Sequence, residues 1–572
     1  MKVILVAVNS KYIHSNLAVR YLKSYTADLE YQCDTIEFSI NDREERVVEE
    51  ILYKKPDVIG FSCYIWNIEF VKKVATLIKL IDSQIEIIYG GPEISFNPVE
   101  FLENNIGEFI IEGEGEETYR ELINFKINKE ISGNAIKYNP IKGLYAKIEG
   151  NINYGGKRPL MNMNNIAFPY DIDDNLENKI VYYEGSRGCP FNCKYCLSST
   201  THGVRFLELN RVLTELQFFI DKKVKLVKFV DRTFNCNKIF ANTIWNYLIE
   251  NGSETCFHFE VSADLFSSES FNILSKAPYG MFQFEVGVQT TNNEILNNIN
   301  RTIKFSTIKE KVLELNKLSN IKQHLDLIAG LPGENFNSFR KSFNEVYEIS
   351  PEELQLGFLK LLKGSQMREE SEKWGMVYSP YPPYEILKTK DISYEELIIL
   401  KKIEHMVDKY LNSGKFYNIL NFFVKSDKFK DVFEFYYELS KFFDGKGYFK
   451  RNISAVDYYY IFVEFNKFIR GGDEELLIDV IRYEYFSYNN TKWIPDFLKV
   501  DTIKSDERRI KQIVIDNNYI ENTNKISVFK VNYDLKKFID SNTVEKSSMY
   551  IAFIANPMRS KIFIKNDQVG IF

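Results

Sequence analysis

No apolar run in this 572-residue chain reaches the ~18 residues of a membrane-spanning helix, so an integral helical membrane protein is not expected. The amino terminus also lacks a signal-peptide cleavage region. Met1-Lys-Val-Ile-Leu opens directly into a strand-like segment, and a cytoplasmic protein is expected. Cysteine is sparse: seven residues, an odd number without the spacing of a disulfide framework, which fits a reducing compartment. No basic stripe accompanies the net charge of −6, so the electrostatic footprint of a nucleic-acid binder is missing and a small-molecule substrate is expected. Lysine-rich stretches such as 425–430 alternate with Asp and Phe and read as solvated helix faces. Internal repeats and low-complexity tracts are absent too. What is abundant is hydrophobic sequence, 45%, enough to build packed cores.

Three of the seven cysteines crowd into eight residues, Cys189-x3-Cys193-x2-Cys196, within the stretch EGSRGCPFNCKYCLSS from Glu184 to Ser199. A loop rich in Gly, Pro and Asn argues against their serving as buried small hydrophobes. Three thiolates can hold three irons of a 4Fe-4S cube and leave the fourth iron open to another ligand. The same thiols together with His202 are also compatible with a tetrahedral zinc site. Gly188 and Pro190 suit a tight loop, one by permitting unusual dihedrals and the other by fixing φ.

The rest of the chain reads as α/β. Residues 1–125 alternate strand and helix patterns, with strands expected at Val3–Val8, Thr35–Ile40, Val58–Tyr64, Ile85–Tyr89 and Phe109–Glu112. This predicts a doubly wound parallel sheet of Rossmann-like type, whose ligand would lie beyond the carboxyl ends of the strands, at loops 9–16, 62–67, 90–93 and 112–116. Gly113-x-Gly115 superficially matches a dinucleotide fingerprint, but that motif belongs after the first strand, and three glutamates here would repel a pyrophosphate. Residues 126–178 are turn-rich and predict a connector bearing a small hairpin.

Residues 179–367 alternate again, with strands expected at Ile180–Glu184, Leu226–Val230, Phe257–Val261, Phe282–Val288, His324–Ile328 and Leu354–Leu359. Six βα units predict a partial (β/α)6 barrel with polar residues from the strand ends lining one mouth, and the three cysteines follow its first strand. Residues 368–572 become rich in Phe, Tyr and Lys with helical periodicity, notably over 395–411, 432–443 and 456–468, before a small α/β end with strands near 526–531, 549–554 and 561–564.

The cysteine spacing resembles the cluster motif of the radical S-adenosylmethionine (SAM) superfamily. The strand ends that follow it, Asp231-Arg-Thr-Phe-Asn235, Glu260-Val-Ser262-Ala-Asp264, Glu285-Val-Gly-Val-Gln289, Asp326-Leu-Ile-Ala-Gly330 and Leu359 to Met367, resemble that superfamily's successive signatures. The resemblance implies a 4Fe-4S cluster on Cys189, Cys193 and Cys196, SAM bound at the open iron, a 5′-deoxyadenosyl radical, and a flavodoxin- or ferredoxin-type electron donor. It implies Tyr195 beside adenine, Glu260 at the SAM ammonium, Arg301 at its carboxylate, and Gln289 and Asp326 at the ribose. Asp231 and Ser262 would stand near methionine or substrate, with capping of a strand or helix as an equal alternative. Arg187 would screen the cluster or pack on the surface. Cys33, Cys63, Cys236 and Cys256 receive no catalytic role, and His258, His324 and His405 are expected to be structural.

The Gly90-Gly91-Pro92 and Glu112-Gly113-Glu114-Gly115-Glu116 turns resemble the N-terminal cobalamin-binding domain found ahead of many radical SAM domains. This implies cobalamin contacts at Gly90, Gly91, Glu112, Gly113 and Gly115. The chain departs from the Asp-x-His-x-x-Gly pattern that supplies a lower cobalt ligand, and His14 reads as a loop or substrate-side residue. The extension after residue 367 resembles the C-terminal region of an uncharacterised branch of these proteins and is expected to help shape the substrate pocket as a lid. The implied activity is modification of an unactivated carbon, with methyl transfer foremost. Cyclisation or oxidation of a tetrapyrrole-type substrate is the enzymatic alternative, and a non-catalytic corrinoid or metal sensor the other.

Overall fold

A computed structural model describes residues 1–131, 139–201, 203–252, 254–489, 494–500, 503–517, 519, 526–554, 560–565 and 568–571. His202 lies outside the described residues. The chain divides into two compact units, residues 1–342 with 356–394, and residues 343–355 with 395–572. Among the described residues no helix is long and apolar enough to cross a membrane.

The first unit begins with five parallel strands, β1 (Lys2–Asn9), β2 (Gln32–Ser39), β3 (Val58–Ser62), β4 (Glu86–Gly90) and β5 (Phe109–Ile111), in spatial order β2-β1-β3-β4-β5. Both faces are covered by helices, as an all-parallel sheet requires. Ile4, Val6 and Val8 of β1 enter one apolar cluster and Val3, Leu5 and Ala7 the other, the period of two that sends successive side chains to opposite faces. The hairpin expected in the connector forms as β6 (Leu144–Ile148) and β7 (Asn151–Tyr154), but it pairs antiparallel with β5 and so extends the first sheet to seven strands.

The second sheet of this unit is built from β8 (Ile180–Tyr183), then, after the hairpin β9 (Ser186–Cys189) and β10 (Gly203–Phe206), from β11 (Leu226–Phe229), β12 (Cys256–Val261), β13 (Phe282–Gln289), β14 (Lys322–Ala329) and β15 (Glu353–Phe358), ordered β15-β14-β13-β12-β11-β8. The β8, β11, β12, β13 and β14 strands are parallel, with register partners Phe229↔Tyr183, Val227↔Phe257, Glu260↔Glu285 and Gly287↔Asp326. Alternation again sorts the side chains. Phe229, Phe259 and Phe284 pack with Trp245 in a fully buried aromatic layer, which leaves Lys228, His258, Glu260, Glu285, His324 and Asp326 on the opposite face of the strands.

Beyond the sheet, the chain returns to the first domain. The Tyr384 hydroxyl donates to the buried Glu93 carboxylate of the Gly-Gly-Pro-Glu turn, and Lys363 Nζ pairs with the same Oε1 at 2.8 Å. The Arg368 guanidinium stacks over the Tyr384 ring at 4.9 Å.

The second unit has a helical core and a sheet. Helices Tyr417–Val424, Val432–Gly445, Asp457–Phe468 and Glu474–Tyr488 gather Phe423, Phe435, Phe462 and Phe465 into a ring cluster, with Phe423 and Phe462 at 5.4 Å. These aromatic stripes are core. Four antiparallel strands follow, Ile526–Tyr533, Lys546–Ile554, Lys561–Lys565 and Gln568–Ile571. Buried Glu484 accepts from the Asn418 backbone N–H at 2.7 Å and its Nδ2 at 2.9 Å, while its other oxygen has no partner. Burial pushes its carboxyl up to about 8, against the pull of those hydrogen bonds.

Candidate active site

Two cavities open at the carboxyl ends of the two parallel sheets of the first unit. The smaller, about 250 Å3, is walled by Cys189, Cys193 and Cys196 with Tyr195, and by Arg232, Glu260, Ser262, Glu285, Gln289, Arg301 and Asp326. The cysteines arrive from the end of β9 and the loop behind it. Gly188, at φ +101° with its Cα facing the Gly203 carbonyl, occupies a position where a Cβ would lie 2.1 Å from that oxygen, so only glycine lets the hairpin close just before Cys189. Among the described residues no three His, Cys, Asp or Glu side chains gather tightly enough to hold a single ion, and the three thiols share a cavity wall instead.

Three polar atoms in this wall are buried without a hydrogen-bond partner: Gln289 Oε1, Arg301 Nε and Asp326 Oδ1. Such groups are costly unless something completes them. Gln289 carries a second cost, since it sits at φ +70° beside a register shift between Gly287 and Gln289, in a region that non-glycine residues avoid. Arg301 is anchored by donating from Nη2 to the Gly287 carbonyl. Glu260 is bonded through both oxygens to Arg232 Nη1, at 2.7 and 2.8 Å.

The electrostatics of the wall are sharply divided. Burial works to raise the Glu285 carboxyl, yet His258 Nε2 at 3.0 Å and Lys228 Nζ at 3.3 Å hold it down to about 2. Asp326 is pushed well above the usual carboxylate range, by burial first and then by the charges of Glu285 and Glu260. Neighbouring charges thus push two carboxyls of one wall in opposite directions.

The larger cavity, about 730 Å3, gathers all four loops expected to carry a ligand: Asn9 to Asn16, Ser62 to Trp66, Gly90 to Pro92, and Gly113 to Glu116. Asn67 shapes one of them by donating from Nδ2 to the Val8 and Ser62 carbonyls, both at 2.9 Å, and accepting the Tyr64 N–H at 2.7 Å. Gly91 lies at φ +121° with the Cys63 carbonyl 2.4 Å from where a Cβ would be, whereas a Cβ on Gly113 would meet open space. Tyr64 and Trp66 stack at 4.4 Å in the wall. His14 lines the cavity, but its Nδ1 is hydrogen-bonded to the Tyr182 hydroxyl at 2.7 Å.

Not every expected residue reaches a cavity. Asp231 is fully buried, and its two oxygens accept the Gly185 N–H at 2.9 Å and the Ser186 hydroxyl at 2.6 Å, which makes it an anchor for the start of the cysteine loop. Glu112 turns away and accepts from the Tyr154 hydroxyl at 2.5 Å. Arg187 does not approach the sulfurs. It lies among carboxylates, 2.5 Å from Glu116 and 2.9 Å from Glu184, and lines the larger cavity. Ser262 lines the smaller cavity with its hydroxyl donated to Asp264 at 2.5 Å. Conversely, sequence reasoning passed over Arg232, Lys228 and Glu116. Arg232 is half-exposed and lines both cavities. Period-two alternation in Lys228-Phe-Val, His258-Phe-Glu and Glu285-Val-Gly was the signal that would have placed the polar set on one face.

Family models agree with this layout: a B12-binding domain matches residues 3–123 and the radical SAM superfamily matches residues 183–346. The chain carries a B12-binding domain ahead of a radical SAM domain. A third model, described as a protein of unknown function (DUF4080), matches residues 372–564. Among curated relatives, the cobalamin-dependent radical SAM methyltransferase TokK of Streptomyces tokunonensis is 25% identical over 58% of this chain and 51% of its own length. An uncharacterised methyltransferase of Pyrococcus horikoshii is 26% identical over 50% of this chain and 63% of its own. The chain therefore spans about half to three-fifths of the length of these two relatives. In fold it is similar to the cobalamin-dependent SAM radical enzyme OxsB, solved with aqua-cobalamin and SAM, at TM-score 0.57 and 14% identity over 91% of this chain and 81% of that one. It is also similar to the methyltransferase TsrM of Kitasatospora setae, solved with cobalamin and a [4Fe-4S] cluster, at TM-score 0.55 and 16% identity over 67% of this chain and 79% of that one.

The residues present fit the groups these domains imply. The smaller cavity combines three thiols with unpartnered acceptors and a donor, the needs of a cluster and a zwitterionic nucleoside. The larger one offers glycine-lined backbone and a buried Glu116 Oε2 that lacks a partner, suited to a large ligand bearing amide donors.

Proposed function

We propose that this chain is a cobalamin-dependent radical SAM enzyme that modifies an unactivated carbon of a small molecule, by methyl transfer. The observation that carries the reading is the juxtaposition of the two cavities across Arg232, with three thiols and three unpartnered buried atoms on the smaller one. The name of the relative TokK supports methyl transfer as the outcome. When bound, the cluster with SAM would supply a 5′-deoxyadenosyl radical and cobalamin a methyl group.

The chain's own work is binding and positioning. Cys189, Cys193 and Cys196 ligate the cluster, and Tyr195 packs beside adenine. Glu260 accepts from the SAM ammonium, Arg301 Nε donates to its carboxylate, and Gln289 Oε1 accepts a ribose hydroxyl. Asp326 Oδ1, buried without a partner in the same wall, accepts the other ribose hydroxyl. In the larger cavity, Gly90, Gly91, Gly113 and Gly115 let the backbone approach the corrinoid. A flavodoxin- or ferredoxin-type protein of the cytoplasm supplies the electron.

Anaerobic reconstitution with iron, sulfide and hydroxocobalamin, followed by a reductant and SAM, tests this reading. The expected result is a cubane spectrum, a corrin absorbance retained on desalting, and 5′-deoxyadenosine formation that Cys193→Ala abolishes. Undiminished turnover by Cys193→Ala refutes the radical assignment, and loss of corrin absorbance refutes the cobalamin half alone. Deoxyadenosine accompanied by a methyl-free product moves the outcome to cyclisation or oxidation.

A further inference from the structure

The two cavities are joined by more than Arg232. The hairpin that delivers Cys189 carries two arginines as direct cross-strand partners, Arg187 on β9 and Arg205 on β10, two residues before the Cys189↔Gly203 pair. Both reach into the Glu-Gly-Glu-Gly-Glu loop of the B12-binding domain. Arg205 forks onto Glu114 through both terminal nitrogens and also donates to the Met161 carbonyl at 2.6 Å. Arg187 Nη2 meets Glu116 Oε1 at 2.5 Å, its Nε meets Glu184 Oε2 at 2.9 Å, and its Nη1 lies 3.8 Å from Glu114. Its guanidinium also stacks on the Tyr21 ring at 5.5 Å. Three carboxyl groups therefore share two guanidinium groups.

One acceptor of this set is left open. Glu116 has a side chain only 6% exposed, lines the larger cavity, and keeps Oε2 buried without any hydrogen-bond partner. A buried acceptor left open is expensive, and a ligand donor that completes it is correspondingly favoured. Glu116 Oε1 is held by Arg187, on the strand that ends at Cys189, and both side chains line the cavity. Arg187 spreads single contacts over Glu116, Glu184 and Glu114, so one guanidinium ties the loop of the B12-binding domain to the strand that ends at Cys189.

We propose that Glu116 and Arg187 are positioning residues that couple the two cofactor sites: an amide or hydroxyl donor of the corrinoid completes Glu116 Oε2, and Arg187 conveys that occupancy to the cysteine hairpin. This rests on the reading of the two cavities given above. The reciprocal consequence follows from linkage, so an assembled cluster favours corrinoid binding by the same factor.

The test uses the full chain, reconstituted anaerobically, with hydroxocobalamin as the probe. Its affinity is read by absorbance, and the low-temperature spin-resonance signal of the reduced cluster is recorded with and without it. In the wild type, hydroxocobalamin shifts the cluster signal. Glu116→Gln, nearly isosteric, weakens hydroxocobalamin about tenfold, the loss expected for one hydrogen bond to a charged group. Arg187→Gln retains the corrinoid more weakly and abolishes the shift, whereas Arg187→Lys, which keeps the charge but has one nitrogen where the arginine uses three, restores affinity in part and the shift not at all. A shift of wild-type size in Arg187→Gln or Glu116→Gln, at equal iron content, overturns the proposal. Should Arg187→Gln fail to hold a cluster, Glu116→Gln decides alone. A wild-type protein that binds no hydroxocobalamin refutes the larger cavity's assignment instead, which is a separate outcome.

Discussion

Adding one methyl group at Gly287 would separate SAM recognition from folding. A Cβ at this position would lie 2.1 Å from Gln289 Nε2 and 3.4 Å from its Cδ, with Arg301 Nη2 next at 3.7 Å. Every one of these atoms belongs to a side chain, and the first is the free end of a flexible one. Gly287→Ala therefore evicts the Gln289 amide without moving a strand. The fold is expected to tolerate the change, because replacing glycine inside a strand returns about 0.5–1 kcal/mol of conformational entropy, roughly matching the rotation it forces. Loss of the hydrogen bond proposed between Gln289 and the ribose would cost about 1–1.5 kcal/mol, or a five- to tenfold rise in the SAM dissociation constant, since ~1.4 kcal/mol is tenfold. Equilibrium dialysis of SAM against reconstituted protein measures the first quantity and thermal unfolding the second. The double variant Gly287→Ala/Gln289→Ala should bind SAM no worse than Gln289→Ala alone, because both remove one contact. Unchanged SAM affinity with an intact cluster, or additive losses in the double variant, would refute the role given to Gln289.

Two buried carboxyls make pH-dependent predictions of the same sign. Burial raises Asp231 to about 7, although the Ser186 hydroxyl and Gly185 N–H pull it down. The folded protein thus keeps a proton that the unfolded chain releases near pH 4, and stability falls as pH rises from about 4 to 7. Asp231→Asn should flatten that segment of the melting-temperature profile, and an undiminished slope counts against the assignment. Glu484 in the second unit is raised to about 8, so stability drains from about pH 4 to 8, and Glu484→Gln should melt at or above wild type at pH 9 while matching or falling below it at pH 5. A variant that melts well below wild type at pH 9 shows that the carboxylate itself is needed there.

How much of this was legible in sequence depended on which physical signal each residue left. Strands such as Leu226–Phe229 and Phe282–Gln289 announce themselves by apolar alternation, and their ends were read to within a residue or two. The cysteine trio is legible because its spacing is local. For Asp231 the family resemblance suggested a place near methionine or substrate, with capping an equal alternative, and only the fold shows its oxygens spent on Gly185 and Ser186. Glu112 and Glu116 share one loop and one residue type, and nothing local distinguishes the glutamate facing Tyr154 from the one facing the cavity. The connector hairpin was visible from its turns, but its membership in the first sheet depends on β5 offering a free edge, a long-range fact.

The clasp between Glu93 and Tyr384 has a cost in time. The two residues stand 291 positions apart, so at roughly 5–20 residues per second a ribosome needs about 15–60 s to supply the hydroxyl after the carboxylate has emerged. Throughout that interval the Glu93 carboxylate lacks this partner, and the rim of the nascent N-terminal sheet stays unfinished until the segment beyond the second sheet is translated.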